Sequence, residues 1–421
     1  MATVPWRGGP WRGGPWRGGP WRGGPWTGGP WSGGPWTGGL GRSESRAWAT
    51  WRHFDLSLAL ATVAVGVFGC VLLYTSTRTQ LEAQGLSPLF YARKQAIFLV
   101  IGVVAMVVVA AVDYRKYRDW AWVAFAGTLL ALLAVYVVGH KSNGAQAWFQ
   151  LGSYQMEPSE LAKPALIVAG ASVVALFKGR LGGRALAATL GLAAVPLGLI
   201  YKQPDLGTAL VLAVVLLAIL TVGGARALHM GLLGLLAVAG VVAALHFGVL
   251  QKYQTQRLTS FLSTQTNPDP HFLASPAGKA QYNGAMSKEA VSDGGVHGKG
   301  LGRGPLTNLG DVPFQHTDFI FSAIAEQLGL VGSALLLALF MIMVWRTWRA
   351  ATLARDQVGT LVCAGVVAML TFQVFENVGM AIGIMPVAGI PLPFVSYGGS
   401  AMVAAFVAVG LALSVRMHRF A

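Results

Sequence analysis

Runs of about 20 apolar residues recur along this chain from Phe54 onward, each long enough to cross ~30 Å of hydrocarbon as a helix. Ten such runs are legible, over 54–75, 94–112, 119–139, 160–177, 185–201, 205–222, 227–250, 318–345, 358–383 and 395–415. The fifth and sixth are parted only by Lys202-Gln203-Pro204-Asp205 and read equally well as one broken hairpin. The pattern predicts an all-α polytopic membrane protein with about ten transmembrane helices. One long polar interruption, about 251–317, separates the seventh run from the eighth and closes on His316-Thr317-Asp318. That closure sets a carboxylate at the mouth of a hydrophobic helix.

Composition agrees with this pattern. Of 421 residues, 54% are hydrophobic and 11% charged, whereas a soluble domain would be nearer a quarter charged. The formal net charge of +15 raises nucleic acid as a partner. The basic residues, however, sit in short clusters between apolar runs, with no continuous basic face or binding motif, so no nucleic acid is expected. Attraction to anionic membrane lipid fits them better. The clusters Arg115-Lys116-Arg118, Lys178-Arg180-Arg184, Arg226, Arg346-Arg349-Arg355 and Arg416-Arg419 all fall on one side of the predicted spans. The positive-inside rule makes that side cytoplasmic, with both termini. The loops 140–159, 251–317 and 384–394 then face outward, and Asp318 with them.

Residues 5–39 are seven copies of a pentapeptide, Pro-Trp-Arg-Gly-Gly four times and then with Thr, Ser and Thr in place of Arg. Such units build no apolar face, so residues 1–48 are expected to be a disordered cytoplasmic tail ahead of a membrane domain over 49–421. The tail has no apolar core of a signal peptide. Its Trp and Arg residues suit either an anionic membrane surface or plain solvent. Cys70 and Cys363 lie inside apolar runs and imply neither disulfide nor metal, and the eight histidines show no ligand spacing.

Four segments carry candidate chemistry. Pro158-Ser159 opens the fourth run, and Glu160 and Lys163 follow three apart on one helical face. Charges there serve equally a salt bridge locking helices together or a cavity lining. Gln203-Pro204-Asp205 sets an acid at the start of the sixth run, where the helix dipole alone favours it. Asp318 has the same simple explanation. In its favour stand a Gly-rich basic run before it and the suitability of a partly shielded carboxylate for general-base work. That run, Gly294 to Gly304 with Lys299 and Arg303, is no Walker loop; it reads as a pyrophosphate holder or as a flexible linker. Finally, Pro386, Pro391 and Pro393 fall within eight residues between the last two runs. Backbone so broken is tolerated at membrane depth only where it lines a cavity.

Together these segments resemble the SEDS family, the RodA/FtsW peptidoglycan polymerases, from about Phe54 to Arg419. The resemblance is carried by Pro158-Ser159-Glu160 with Lys163, Gln203-Pro204-Asp205-Leu206-Gly207-Thr208, and Tyr253-Gln254 with Gln256-Arg257. It continues through Gly294-Gly295 with Gly298-Lys299-Gly300, His316-Thr317-Asp318-Phe319-Ile320-Phe321, and Pro391 to Ser400. Asn377 with Gly379-Met380, and Pro386-Val387 with Gly389-Ile390-Pro391, lean toward its elongation branch, RodA, over its division branch, FtsW. The resemblance implies an inverting glycosyltransferase that polymerises lipid II on the outer face of the bacterial cytoplasmic membrane. It implies Asp318 as general base, Glu160, Lys163, Asp205 and Ser396 as cavity lining, and a class B penicillin-binding protein as transpeptidase partner. Arg257, Lys299 and Arg303 are then candidates to hold the leaving pyrophosphate. A divalent cation, magnesium or manganese, would do the same work, but no cluster of oxygen ligands is legible.

The chain departs from the family pattern in places. Ala147 precedes Trp148 where the family carries Arg, leaving a cavity cation missing or supplied by Lys141. Glu326-Gln327 replaces a pair of Glu, Glu376 stands where an apolar residue is expected, and 267–290 fits only loosely. A lipid II flippase and a scaffold for a partner enzyme are the competing readings. No internal repeat of the transporter kind is visible.

Overall fold

The chain divides into two units, Met1–Ala47 and Trp48–Ala421. The computed structural model describes residues 51–142, 145–152, 154–177, 181–246 and 276–420, so the pentapeptide tail and Arg257 lie outside the described residues.

The helices in chain order are α1 (Leu56–Ala83), α2 (Phe90–Ala111), α3 (Tyr114–Val138), α4 (Pro158–Leu176), α5 (Gly183–Lys202) and α6 (Leu206–Val222). They continue as α7 (Ala227–His246), α8 (Pro276–Gly294), α9 (Pro305–Leu309), α10 (Ile320–Thr352), α11 (Gln357–Ile382) and α12 (Gly399–Met417). Among the described residues, each predicted apolar run overlaps a helix. Eight of these helices are long and apolar enough to cross a membrane, whereas α6 and the apolar part of α7, Ala227–Gly240, are shorter. The protein is a multi-pass, mostly helical membrane protein. The supposed broken hairpin is two helices, α5 and α6, turned at Gln203-Pro204-Asp205.

Aspartate sets where many of these helices begin. Asp55, Asp113, Asp205 and Asp356 each accept a hydrogen bond from a backbone N–H in the first turn of α1, α3, α6 and α11. Pro158 and Pro305 open α4 and α9, where a missing N–H costs nothing. The bundle centres on α4 and α12, 78% and 72% buried over their apolar windows, against 22% for α2 and α3. Small residues permit the close crossings that dispersion forces need in lipid. Gly102 of α2 faces the Phe406 ring of α12, and Gly410 of α12 faces the Met106 backbone.

Two features lie outside the run pattern. Between α3 and α4 the chain forms a three-stranded antiparallel sheet, β1 (His140–Ser142), β2 (Ala145–Leu151) and β3 (Tyr154–Met156). Within the long polar interruption, α8 and α9 flank the Gly-rich run, which lies against α10 and is pinned there. Lys299 and Gly300 donate their N–H groups to the Glu326 and Gln327 carbonyls, and Leu330 donates back to Gly295. The contact is possible because α10 kinks at Gly329, whose φ of 65° is left-handed. A Cβ at Gly329 would lie 2.3 Å from the Gly298 nitrogen. The run is therefore a fastened strap and not a free linker.

Candidate functional site

The helix starts of α4, α6, α10 and α12 meet the end of α11 at one end of the bundle, and the candidate residues gather there. On α4, Lys163 Nζ lies 2.7 Å from Glu160 Oε1, and both side chains are almost wholly buried. Both partners belong to the same helix, so the pair locks no two helices together. It lines a narrow cavity with Gln373 of α11, Pro391, Pro393 and the alanines 401, 404 and 405 of α12. The cavity volume is ≈ 10 Å³, room for roughly one water.

Glu157, the residue capping α4, is a member of this site that the sequence reading passed over. Its carboxylate accepts from Ser159 Oγ at 2.8 Å and from Trp148 Nε1 of β2 at 3.2 Å. Its own N–H donates to Ser400 Oγ at the start of α12. Asp205 caps α6 through one oxygen, Oδ1, which accepts from the Thr208 N–H at 3.0 Å, while Oδ2 is buried without a hydrogen bond. Glu157 thus lies within electrostatic range of the Asp205 and Glu160 carboxylates and of the Lys163 ammonium. Burial, and then the Asp205 and Glu160 charges, push the Glu157 carboxyl up to about 8 against the pull of Ser159 and Lys163. The missed signal was the run of acids itself: Glu157 precedes Pro158 by one residue and Glu160 by three.

Asp318, half-buried, sits just before α10. Asn377 of α11 donates its amide to the Asp318 carbonyl at 2.8 Å and to the Ile390 carbonyl at 2.9 Å. Ser396 donates its hydroxyl to the Thr317 carbonyl at 2.6 Å and accepts from the Leu392 N–H at 2.9 Å. The Tyr397 N–H donates to the His316 carbonyl, and the His316 ring stacks on Tyr91. Burial pulls the His316 imidazole below its ordinary range and pushes the Tyr397 phenol up to about 12. The proline segment is therefore a shared wall. Pro391 and Pro393 face the Glu160–Lys163 cavity, while Ile390, Ser396 and Tyr397 hold the strand of chain that carries Asp318. Ser396 acts on that strand and is not among the residues lining the cavity.

Glu376, the unexpected acid, lies within electrostatic range of Asp318. It is buried with neither carboxylate oxygen in a full hydrogen bond. The other departures have places too. Ala147 is buried beside Trp148, and the side chain of Lys141 lies outside the described residues. Glu326 is buried and caps α9, accepting from the Leu306 N–H at 2.8 Å and from the Thr307 N–H and hydroxyl. Gln327 accepts from the Gly302 N–H at 2.9 Å. These two residues fasten the strap.

Lys299 and Arg303 ride on that strap and do not line the Glu160–Lys163 cavity. Lys299 is paired with Asp293 at 2.8 Å, and Arg303 is exposed. Among the described residues, no group of three or more His, Cys, Asp or Glu is placed to hold a metal ion.

The chain is a helical membrane protein that buries a Glu160–Lys163 pair against a proline-broken segment at one end of its bundle. Residues 55–420 match the FtsW, RodA and SpoVE family of cell cycle proteins, and the chain belongs to that family. It is 33% identical over 368 residues to stage V sporulation protein E of Bacillus subtilis, covering 86% of this chain and 97% of that protein. It is 33% identical to the peptidoglycan glycosyltransferase MrdB of Escherichia coli K12, over 87% of this chain and 94% of the relative. The crystal structure of the rod shape determining protein RodA of Thermus thermophilus superposes with a TM-score of 0.63 at 29% identity, covering 87% of this chain and 98% of that one. A chain from a peptidoglycan synthase complex, described as coordinating polymerization and crosslinking, superposes with a TM-score of 0.70 at 31% identity, over 87% and 98%.

Proposed function

We propose that this protein polymerises lipid II into glycan strands at the outer face of the bacterial cytoplasmic membrane, with Asp318 as the general base. The broader statement, that it is a peptidoglycan glycosyltransferase of the SEDS family, rests on the relatives in both branches. The reading of Asp318 is supported chiefly by the way Asn377 and Ser396 tie its backbone to the wall of the Glu160–Lys163 cavity.

In the proposed step the acceptor sugar hydroxyl attacks the anomeric carbon of the donor, and its proton passes to the Asp318 carboxylate as the new C–O bond forms. The bond from that carbon to the pyrophosphate oxygen breaks with its electron pair, so undecaprenyl pyrophosphate leaves and the anomeric centre inverts. Glu160 and Lys163 supply a fixed, buried dipole in the cavity, which needs no reorganisation as charge moves. Asp205 adds negative charge that favours a cationic neighbour and a protonated Glu157. Arg303 is the cation on the strap best placed by its exposure to meet a diphosphate, because Lys299 is already engaged by Asp293. Arg257 is a further candidate on the sequence resemblance alone.

The motif around Asn377 and Pro386 favours the elongation role over division, and a class B penicillin-binding protein is the proposed crosslinking partner. Depletion in a rod-shaped host is then expected to give rounded cells; filaments would assign the division role. The competing reading is a lipid II flippase. Liposomes carrying the purified chain, its partner and labelled lipid II separate the two: polymerised strands support the enzyme, and lipid II crossing the bilayer without strands supports the flippase.

A further inference from the structure

The end of the bundle opposite the carboxylates carries more positive charge than its one central acid can answer. Asp55, the cap of α1, has a fully buried side chain that receives Arg346 of α10 at 2.7 and 2.9 Å and Arg416 of α12 at 2.9 Å. It also accepts from the Ser57 hydroxyl and the Leu58 N–H. Burial alone would raise this carboxyl, but the hydrogen bonds from Arg346, Ser57 and Leu58 and the charge of Arg416 outweigh it and hold the group below its ordinary range. Asp55 is thus a charged, saturated acceptor with little capacity left.

Two more guanidiniums, Arg349 and Arg419, lie within electrostatic reach of Arg416. Among the described residues, these four cations less the one anion leave three positive charges. Neither Arg349 nor Arg419 makes an ion pair among the described residues. Arg349 is exposed, and the Arg419 Nε is buried without a hydrogen bond. The carbonyl ends of α10 and α12 offset part of this charge, but dipole ends are worth only a fraction of a unit charge each.

The surroundings are those of a membrane boundary. Trp345 is 53% exposed, Trp348 50% and Phe420 70%, all at helix ends. Arg346 and Arg349 lie over the Trp345 ring at 5.7 and 6.0 Å, and Arg419 over Phe420 at 4.4 Å. Exposed Trp at this level marks the depth where headgroups begin. Guanidiniums at that depth present forked donors of the kind that grip phosphate oxygens in pairs.

We propose that Arg349 and Arg419, backed by Arg416 and flanked by Trp345 and Trp348, form a binding site for the phosphate headgroup of an anionic phospholipid. The site is independent of the glycosyltransferase reading. It has a structural consequence, because α10 and α12 meet here while their far ends carry Asp318 and Ser400. A headgroup held between them braces the two helices that frame the candidate active site.

The test uses the full chain in mixed micelles of phosphatidylglycerol and phosphatidylcholine, with retained lipid read by native mass spectrometry. The wild type is expected to keep phosphatidylglycerol in preference. Arg349→Gln with Arg419→Gln is expected to lose that retention at least about tenfold, and the Lys pair at these positions to keep much of it. The Asp55 cluster is left whole, so melting in lipid-free detergent should not change; if it does, the exposed Arg349→Gln alone carries the comparison. Arg118→Gln serves as control, being exposed at the same end and paired only with its neighbour Asp119. Equal loss with Arg118→Gln would mean diffuse attraction and would overturn the site. So would a wild type without lipid preference, or complete displacement by inorganic phosphate, which would identify a free anion as the ligand.

Discussion

At the scale of single residues, the carboxylate end is held by charges that depend on one another. Lys163 is buried with Glu160 at 2.7 Å, and its charge also reaches Glu157. Removing one member of a buried pair leaves the other charge uncompensated. Lys163→Met is therefore expected to cost about 3–5 kcal/mol, and adding Glu160→Gln to recover a large part of it, read as melting temperatures of the two variants. Glu157 makes a separate prediction. Its carboxyl is raised to about 8 in the folded protein, above its value in the unfolded chain. The folded state then binds the extra proton, so its stabilising effect is present at low pH and fades as pH rises through about 8. Stability should fall between about pH 5 and pH 8, and Glu157→Gln should flatten that slope in a series of thermal melts. An unchanged slope would show that Glu157 does not hold a proton in this window.

At the scale of elements, the helices were legible because membrane burial writes itself as long apolar runs, and aspartate caps mark their starts. The sheet over His140–Met156 was not, since its strands are short and lie in a segment without an apolar run. The fastening of the strap was hidden for a different reason. Glycines read locally as freedom, whereas here Glu326, Gln327 and the kink at Gly329 fix them from a distant part of the chain. Glu157 escaped although its spacing to Glu160 was visible, because its burial and the nearness of Asp205 come only from the tertiary fold. Conversely Glu160, Lys163, Asp205 and Asp318 were legible because charged residues at the edge of apolar runs are conspicuous by their cost. The strap gives the prediction at this scale. Gly329→Ala puts a Cβ 2.3 Å from the Gly298 nitrogen in a left-handed conformation. It is expected to release residues 294–304, seen as faster proteolysis there with a loss of about 1–3 kcal/mol in stability.

At the scale of the whole molecule, two clusters sit at opposite ends of the same helices. α10 and α12 carry Arg346 and Arg416 to Asp55 at one end, and Asp318 and the Ser396–Ser400 segment at the other. One end is built to be fixed in place, with a saturated acid and surplus cations at the headgroup level. The other holds Asp205 Oδ2 and the Glu376 carboxylate, buried without full hydrogen bonds, beside a broken loop, arrangements that cost stability and are kept where chemistry needs them. The proposed chemistry depends on Asp318 more than on any other side chain. Its most direct test is strand formation from labelled lipid II by the purified full chain with the proposed transpeptidase partner, comparing wild type with Asp318→Asn. The account predicts that the variant folds, melts close to the wild type and loses polymerisation by at least about a hundredfold. Glycan strands formed at the wild-type rate by Asp318→Asn would contradict it.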